Sequence, residues 1–166
     1  MKHPFPPSED FLKKTKSPLL FSSFLGYKLP LGFIAGLRLE DLNEHECKVS
    51  LPYGWRTQNP FRSIYFAAQA MAAEMSTAAL ANLAIASSQE NIAMLVTDLQ
   101  AIFQHKANAR TTFTCTQGLE AFEAIQKAID TGEGVKLPMK TIGRMPDGTQ
   151  VSEFTVTWSF KKRSKK

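Results

Sequence analysis

The sequence predicts an α+β domain in which one long helix is wrapped by a curved antiparallel sheet, and three observations carry that reading. First, the stretch from Ile64 to Ala86 holds no glycine or proline and is dominated by alanine, the best helix former. At 1.5 Å per residue such a helix spans roughly 30 Å. Second, Glu74 is the only charge between Arg62 and Glu90, and a helix without a charged face is normally buried all around. Third, the segments on either side alternate apolar and polar residues, the period of a half-buried strand. An antiparallel sheet covers one side of the helix, and a second copy of the chain is the natural cover for the rest.

The elements follow in order. Ser8-Glu9-Asp10 caps a short helix through Phe11 and Leu12, ended by Ser17-Pro18. Leu19 to Leu25 reads as a second short helix ending near Gly26. Leu37, Leu39 and Leu42 lead through Asn43-Glu44-His45-Glu46 to Cys47-Lys48-Val49-Ser50-Leu51, two strands about a turn. Asn59 suits a helix cap and Pro60 a first helical position, so the long helix starts there or a few residues later, near Ser63. After Ser87 to Asn91 come strands over Met94 to His105 and Arg110 to Thr116. A helix follows from Gly118 to Asp130, with Leu119, Phe122, Ile125 and Ile129 on one stripe. Val135 to Met145 and Val151 to Phe160 flank the turn Pro146-Asp147-Gly148. In the last strand Phe154, Val156, Trp158 and Phe160 share one face.

At 166 residues the chain is one domain, 1–166, able to form a core without staples; residues 1–30 form a helical extension and 161–166 a basic tail. Much of the net charge of +5 lies in that tail, which reads as solvated and leaves nucleic acid out of the expected partners. The N-terminus lacks the features of a signal peptide, and Cys47 and Cys115 form neither a CxxC pair nor a metal-ligand cluster. The expected setting is the reducing cytoplasm, with no metal. A membrane-spanning reading of the long helix has the right length, but Gln69, Glu74, Ser76, Thr77 and Asn82 stand against it.

Glu74 is the leading candidate for chemistry. At 100° per residue Ser63, Ala67, Ala70, Ala78 and Ala81 fall near its stripe, and such small residues let another group approach closely. A carboxylate held there is costly unless it is paired, protonated or in contact with cleft water, and such groups are catalytic candidates. The alternative is a structural carboxylate that caps a loop amide or pairs with Arg62 or Lys106. Asp98 and Gln100 either line the cleft or sit on the sheet surface. Asn59 is a cap or a ligand contact. Arg62, Lys106 and Arg110 either meet phosphates or are surface charge. No histidine lies between His45 and His105, which disfavours a dehydratase or hydratase built on a histidine.

Asn59-Pro60-Phe61-Arg62-Ser63-Ile64-Tyr65-Phe66-Ala67-Ala68, followed by Met71-Ala72-Ala73-Glu74, resembles a bacterial hotdog-fold family of unknown function. That family is related to acyl-CoA thioesterases of the hydroxybenzoyl-CoA and phenylacetyl-CoA types. The order of elements is similar over roughly residues 30 to 160. In characterised relatives a His-Gly-Gly-like helix start precedes a catalytic acid by nine residues, which places Tyr65-Phe66-Ala67 at that start. Here Tyr65 replaces the histidine, Phe66 and Ala67 replace glycines, and Arg62 stands where glycine is expected.

The resemblance implies a hotdog homodimer, with a tetramer left open, that hydrolyses an acyl thioester of coenzyme A or acyl carrier protein. Coenzyme A enters as part of the substrate, and no separate cofactor is implied. Glu74, the Phe66 backbone N–H as oxyanion donor, and Tyr65 form the implied catalytic set; Asn59, Arg62, Ser63, Ala67 and Asp98 form the implied substrate-binding set. Phe66 and Glu74 are eight residues, about 12 Å, apart along one helix, so a site using both combines two protomers. The same dimer holding an acyl ligand without hydrolysing it is the alternative.

Overall fold

The computed structural model describes residues 3–163. Six antiparallel strands form one curved sheet in the order β1-β2-β4-β5-β6-β3: β1 (Arg38–Leu42), β2 (Cys47–Leu51), β3 (Ile92–Phe103), β4 (Thr111–Cys115), β5 (Val135–Arg144) and β6 (Gln150–Lys162). The long helix α4 (Phe66–Ser88) packs on one face of it. The inward row of β6, from Phe154 through Val156 and Trp158 to Phe160, is buried against it, as the alternation predicts.

Polar residues inside α4 fix how it sits on the sheet. Gln69 accepts from the Ser152 hydroxyl at 2.8 Å and donates to the Ile64 carbonyl at 3.1 Å. The Ser76 and Thr141 hydroxyls meet at 2.8 Å, and the Trp158 indole N–H donates to Thr77 Oγ1 at 2.9 Å. All are buried, and a buried polar group left without such a partner costs about 1–3 kcal/mol. Of the residues that argue against a membrane span, Gln69, Ser76, Thr77 and Asn82 are thus hydrogen-bonded within the domain. Among the described residues no helix is long and apolar enough to cross a membrane.

Helix α5 (Gly118–Thr131) lies against α4, with Phe122 and Ile125 fully buried. A Cβ at Gly118 would stand 2.0 Å from the Glu44 carbonyl oxygen, so only glycine admits the β1–β2 turn there. That turn forms as expected: Asn43 Oδ1 accepts the amides of His45 and Glu46. Cys47 and Cys115 are free, buried and paired in register across β2 and β4.

Helices α1 (Glu9–Lys16) and α2 (Pro18–Lys28) fall where the sequence places them, and the Ser8 hydroxyl accepts the Phe11 amide at 3.3 Å. A third helix, α3 (Pro30–Ala35), was not anticipated; it carries the helical extension past residue 30 and ends at Gly36, φ 78°. Phe21, Leu25 and Ala35 join the main core, so the extension is part of the same body. The basic tail also begins later than expected. Lys161 and Lys162 belong to β6, Lys162 pairs with Glu90 at 3.0 Å, and the Arg163 amide donates to Asn91. Residues 164–166 lie outside the described residues.

Candidate active site

Helix α4 starts later than its sequence signals suggest. Asn59 does not cap it: Asn59 Oδ1 accepts the amides of Phe61 at 2.9 Å and Ser63 at 3.2 Å, closing a tight turn before the helix. This is the same side-chain-to-backbone chemistry as a cap, spent on a loop. Arg62 lies within that turn at φ 58°, the left-handed region that glycine adopts without cost. Glycine is what the family resemblance leads one to expect there, and the backbone gives the reason. The Arg62 side chain is exposed.

Ser63 precedes the helix and is not on its stripe. Its hydroxyl accepts the Ala107 amide at 3.1 Å, so it ties the loop to the segment after β3 instead of facing a ligand. The Ile64 amide donates to Ala107 and the Tyr65 amide to Thr57, both at 2.7 Å. These bonds hold the chain extended until Tyr65, the N-cap, which makes no side-chain capping bond.

The first amides of α4, those of Phe66, Ala67 and Ala68, therefore leave the helix end without a protein acceptor among the described residues. No acidic residue sits in the first turn. Unpaired amides and the positive end of the helix dipole together suit a developing negative charge. The rings of Tyr65 and Phe66 meet edge to face at 4.8 Å between centroids, and Phe66 faces Phe103 of β3 at 6.5 Å. Tyr65 and Phe66 are exposed and Ala67 is half-buried.

Glu74 sits two turns further along. No amide or hydroxyl among the described residues donates to its carboxylate; only its backbone carbonyl is engaged, by Thr77 Oγ1 at 2.9 Å. Neither structural alternative occurs among the described residues: Arg62 forms no ion pair there, and Lys106 reaches the Phe61 carbonyl instead, at 3.4 Å. Burial pushes the Glu74 pKa above the ordinary carboxylate value, with no opposing partner. Of the small residues on its stripe of α4, Ala67 and Ala70 are half-buried, Ala78 lines the same cleft, and Ala81 is fully buried in the core.

Glu74 lines a cleft of about 730 Å³ floored by α4 and walled by α1, α2, β3 and β6. Asp98 is not brought to it. A bulge between Val96 and Asp98 shifts the register so that Asp98 pairs with Thr157, whose row faces away from α4. There Asp98 is exposed and accepts from the Gln100 amide at 3.1 Å. A second cleft of about 660 Å³, lined by Lys140, Arg144 and Thr155, lies on that outer face of the sheet, away from Glu74. Among the described residues no three His, Cys, Asp or Glu side chains converge on a point where a metal could sit. Sequence reasoning missed Gln69, whose place among alanines gave no sign of its two buried bonds, and it missed the N-terminal helices as cleft walls.

Solved structures place this arrangement in a known architecture. A protein of unknown function from Pseudomonas aeruginosa, described as a probable thioesterase, superposes with TM-score 0.72 at 16% identity, covering 90% of this chain and 99% of that one. A protein of unknown function from Chlorobaculum tepidum gives 0.73 at 15%, covering 90% and 99%. A thioesterase from Haemophilus influenzae gives 0.67 at 16%, covering 92% and 95%. The chain has the hotdog fold. Residues 17–160 match the pattern of the family described as domain of unknown function DUF4442, and the protein belongs to that family. No curated protein matches the sequence.

Proposed function

We propose that the protein hydrolyses an acyl thioester of coenzyme A or acyl carrier protein, as a homodimer related to the hydroxybenzoyl-CoA and phenylacetyl-CoA type thioesterases. The observation that carries the proposal is the Glu74 carboxylate, half-buried, without a partner, and facing a cleft on the central helix. The thioesterase-like neighbours of the same fold support it. Glu74 removes a proton from water as the oxygen attacks the carbonyl carbon; the C–S bond then breaks and the thiolate leaves, taking the proton back. Direct attack by Glu74, with water hydrolysing the resulting anhydride, uses the same placement. The oxyanion is held by the Phe66 amide of a second copy, since one helix cannot bring both groups to a single carbonyl.

Arg62, exposed at the mouth of the helix, is placed to meet phosphates in this reading, with Asn59 shaping the loop that presents it. The exposed rings of Tyr65 and Phe66 at the helix start favour a second reading, acyl-ligand binding without turnover. Thiol release from short, medium, long and aromatic acyl-CoAs, compared between wild type and Glu74→Gln, separates the two. The expected outcome is hydrolysis that falls at least a hundredfold in the mutant, with the fold retained. Full activity in Glu74→Gln removes the role given to that residue. A wild type that binds acyl-CoA and releases no thiol favours the binding protein.

A further inference from the structure

We propose that helices α1 and α2 close an acyl-chain channel leading away from Glu74, and that the acyl group of the substrate is a long aliphatic chain. The inference rests on the thioester reading of the site. It starts from how the cleft is made. Ala78 and Ala79 on α4 are small, so the helix surface just beyond Glu74 leaves depth where larger residues would fill it. The walls are hydrocarbon: Leu20, Phe21 and Phe24 from α2, Met94 from β3 and Trp158 from β6.

The polar lining residues narrow the choice of occupant. Thr15 donates to the Phe11 carbonyl at 2.7 Å, Asn82 to the Ala78 carbonyl at 2.9 Å, and Lys14 to Asp10 at 2.7 Å. Each is engaged within its own helix, which leaves Glu74 as the one polar side chain of the lining without a protein partner among the described residues. A ligand with many further polar groups in this channel would find few partners not already engaged, and burying unpaired polar groups there would cost free energy. The volume of about 730 Å³ holds roughly two dozen water-sized groups, far more than an acetyl or benzoyl group fills. It also lies within the ordinary range of small-molecule sites. One reactive polar group at one point and hydrocarbon beyond it is the complement of a thioester with a long alkyl tail.

The test uses the full chain and coenzyme A thioethers, which cannot be hydrolysed, with alkyl chains of increasing length and a benzyl analogue, measured by calorimetry. Affinity is expected to rise about fourfold per methylene while the chain is entering the channel, then to level off, with the benzyl compound well below the longest chains. Leu20→Trp, at a half-exposed wall position that tolerates bulk, is expected to cut the ratio of long-chain to short-chain affinity at least tenfold. Leu31→Trp, on α3 and outside the cleft, leaves that ratio unchanged. Affinity independent of length, a benzyl thioether bound as tightly as the longest chain, no binding of any thioether, or an unshifted ratio in Leu20→Trp each overturns the proposal. Length-dependent binding by a protein that never releases thiol would instead retain the channel and remove the hydrolase. Glu74-dependent hydrolysis without any length preference would do the reverse.

Discussion

The two edges of the sheet are built on opposite plans. Strand β1 is five residues long, Arg-Leu-Glu-Asp-Leu, and is covered by α1, with Lys16 pairing to Asp41 at 3.5 Å. Charge, shortness and a covering helix are the usual means of blunting an edge against further pairing. Strand β3 at the other edge is twelve residues long and, among the described residues, pairs only with β6. Its exposed residues include Leu95, Leu99, Ile102 and Phe103, the first two-thirds exposed. A long apolar open edge is a template for another strand. The uncovered side of α4, from Phe66 through Met71 to Glu74, adjoins it through the Phe66–Phe103 contact. In the proposed dimer the open edge and the candidate site are one surface, so whatever covers β3 also completes the cleft.

The largest expected effect comes from breaking that contrast. Leu99→Lys places a charge on the open edge and should weaken self-association by more than tenfold in sedimentation, with thioester hydrolysis falling in parallel as dimers are lost. The folded single chain should lose little stability, because Leu99 is already substantially exposed. Arg38→Glu on β1 should leave association within twofold of wild type. Equal responses at the two edges would mean that β3 is not the interface.

A smaller effect concerns the charge that the open side leaves in a half-buried cleft. The folded-state pKa of Glu74 is raised, so the native protein binds the proton more tightly than the unfolded chain. Stability therefore falls as pH rises from the unfolded carboxylate value through the raised folded one. Above that window the ionised carboxylate is a standing cost, and below it the cost vanishes. Glu74→Gln should accordingly raise the melting temperature at neutral pH, and the gain should shrink as pH drops to the ordinary carboxylate range. In hydrolysis the wild-type rate should rise with pH across the same window, since the base acts ionised. A mutant melting difference that is constant with pH would show that Glu74 has an ordinary pKa.

Local chemistry made most of the architecture legible. The β1–β2 turn, the Pro146-Asp147-Gly148 hairpin and the inward row of β6 each follow from a few adjacent residues. The start of α4 was misplaced because Asn59-Pro60 offers the same bonds to a turn as to a helix. What decides between them is non-local: the Ile64 amide on Ala107 and the Tyr65 amide on Thr57. Helix α3 was unread because it is short and holds Gly32, which faces Leu37 and Leu25 in the fold. Glu74 could be found as an isolated carboxylate on a helix of small residues. Its cleft could not, because Leu20, Met94 and Trp158 come together only when the sheet closes around the helix.

The smallest expected effect tests how far one bulge decides the membership of the site. Strand alternation allowed Asp98 to be counted into the cleft, and a regular strand continuing the phase of Met94 and Val96 would put it there. The extra residue between Val96 and Asp98 changes which side chains face α4. Met94 and Val96 oppose Phe160 and Trp158 of the inward row before the bulge, and Leu99 opposes Val156 after it, while Asp98 falls beside Thr157 on the outer face. A carboxylate on that face lies across the thickness of the sheet from Glu74. Asp98→Asn should therefore change kcat/KM by less than twofold, and its interaction with Glu74→Gln in a double-mutant cycle should be close to zero. A coupling of tenfold or more between the two positions would place Asp98 in the site and show that the bulge is not the working register of the strand.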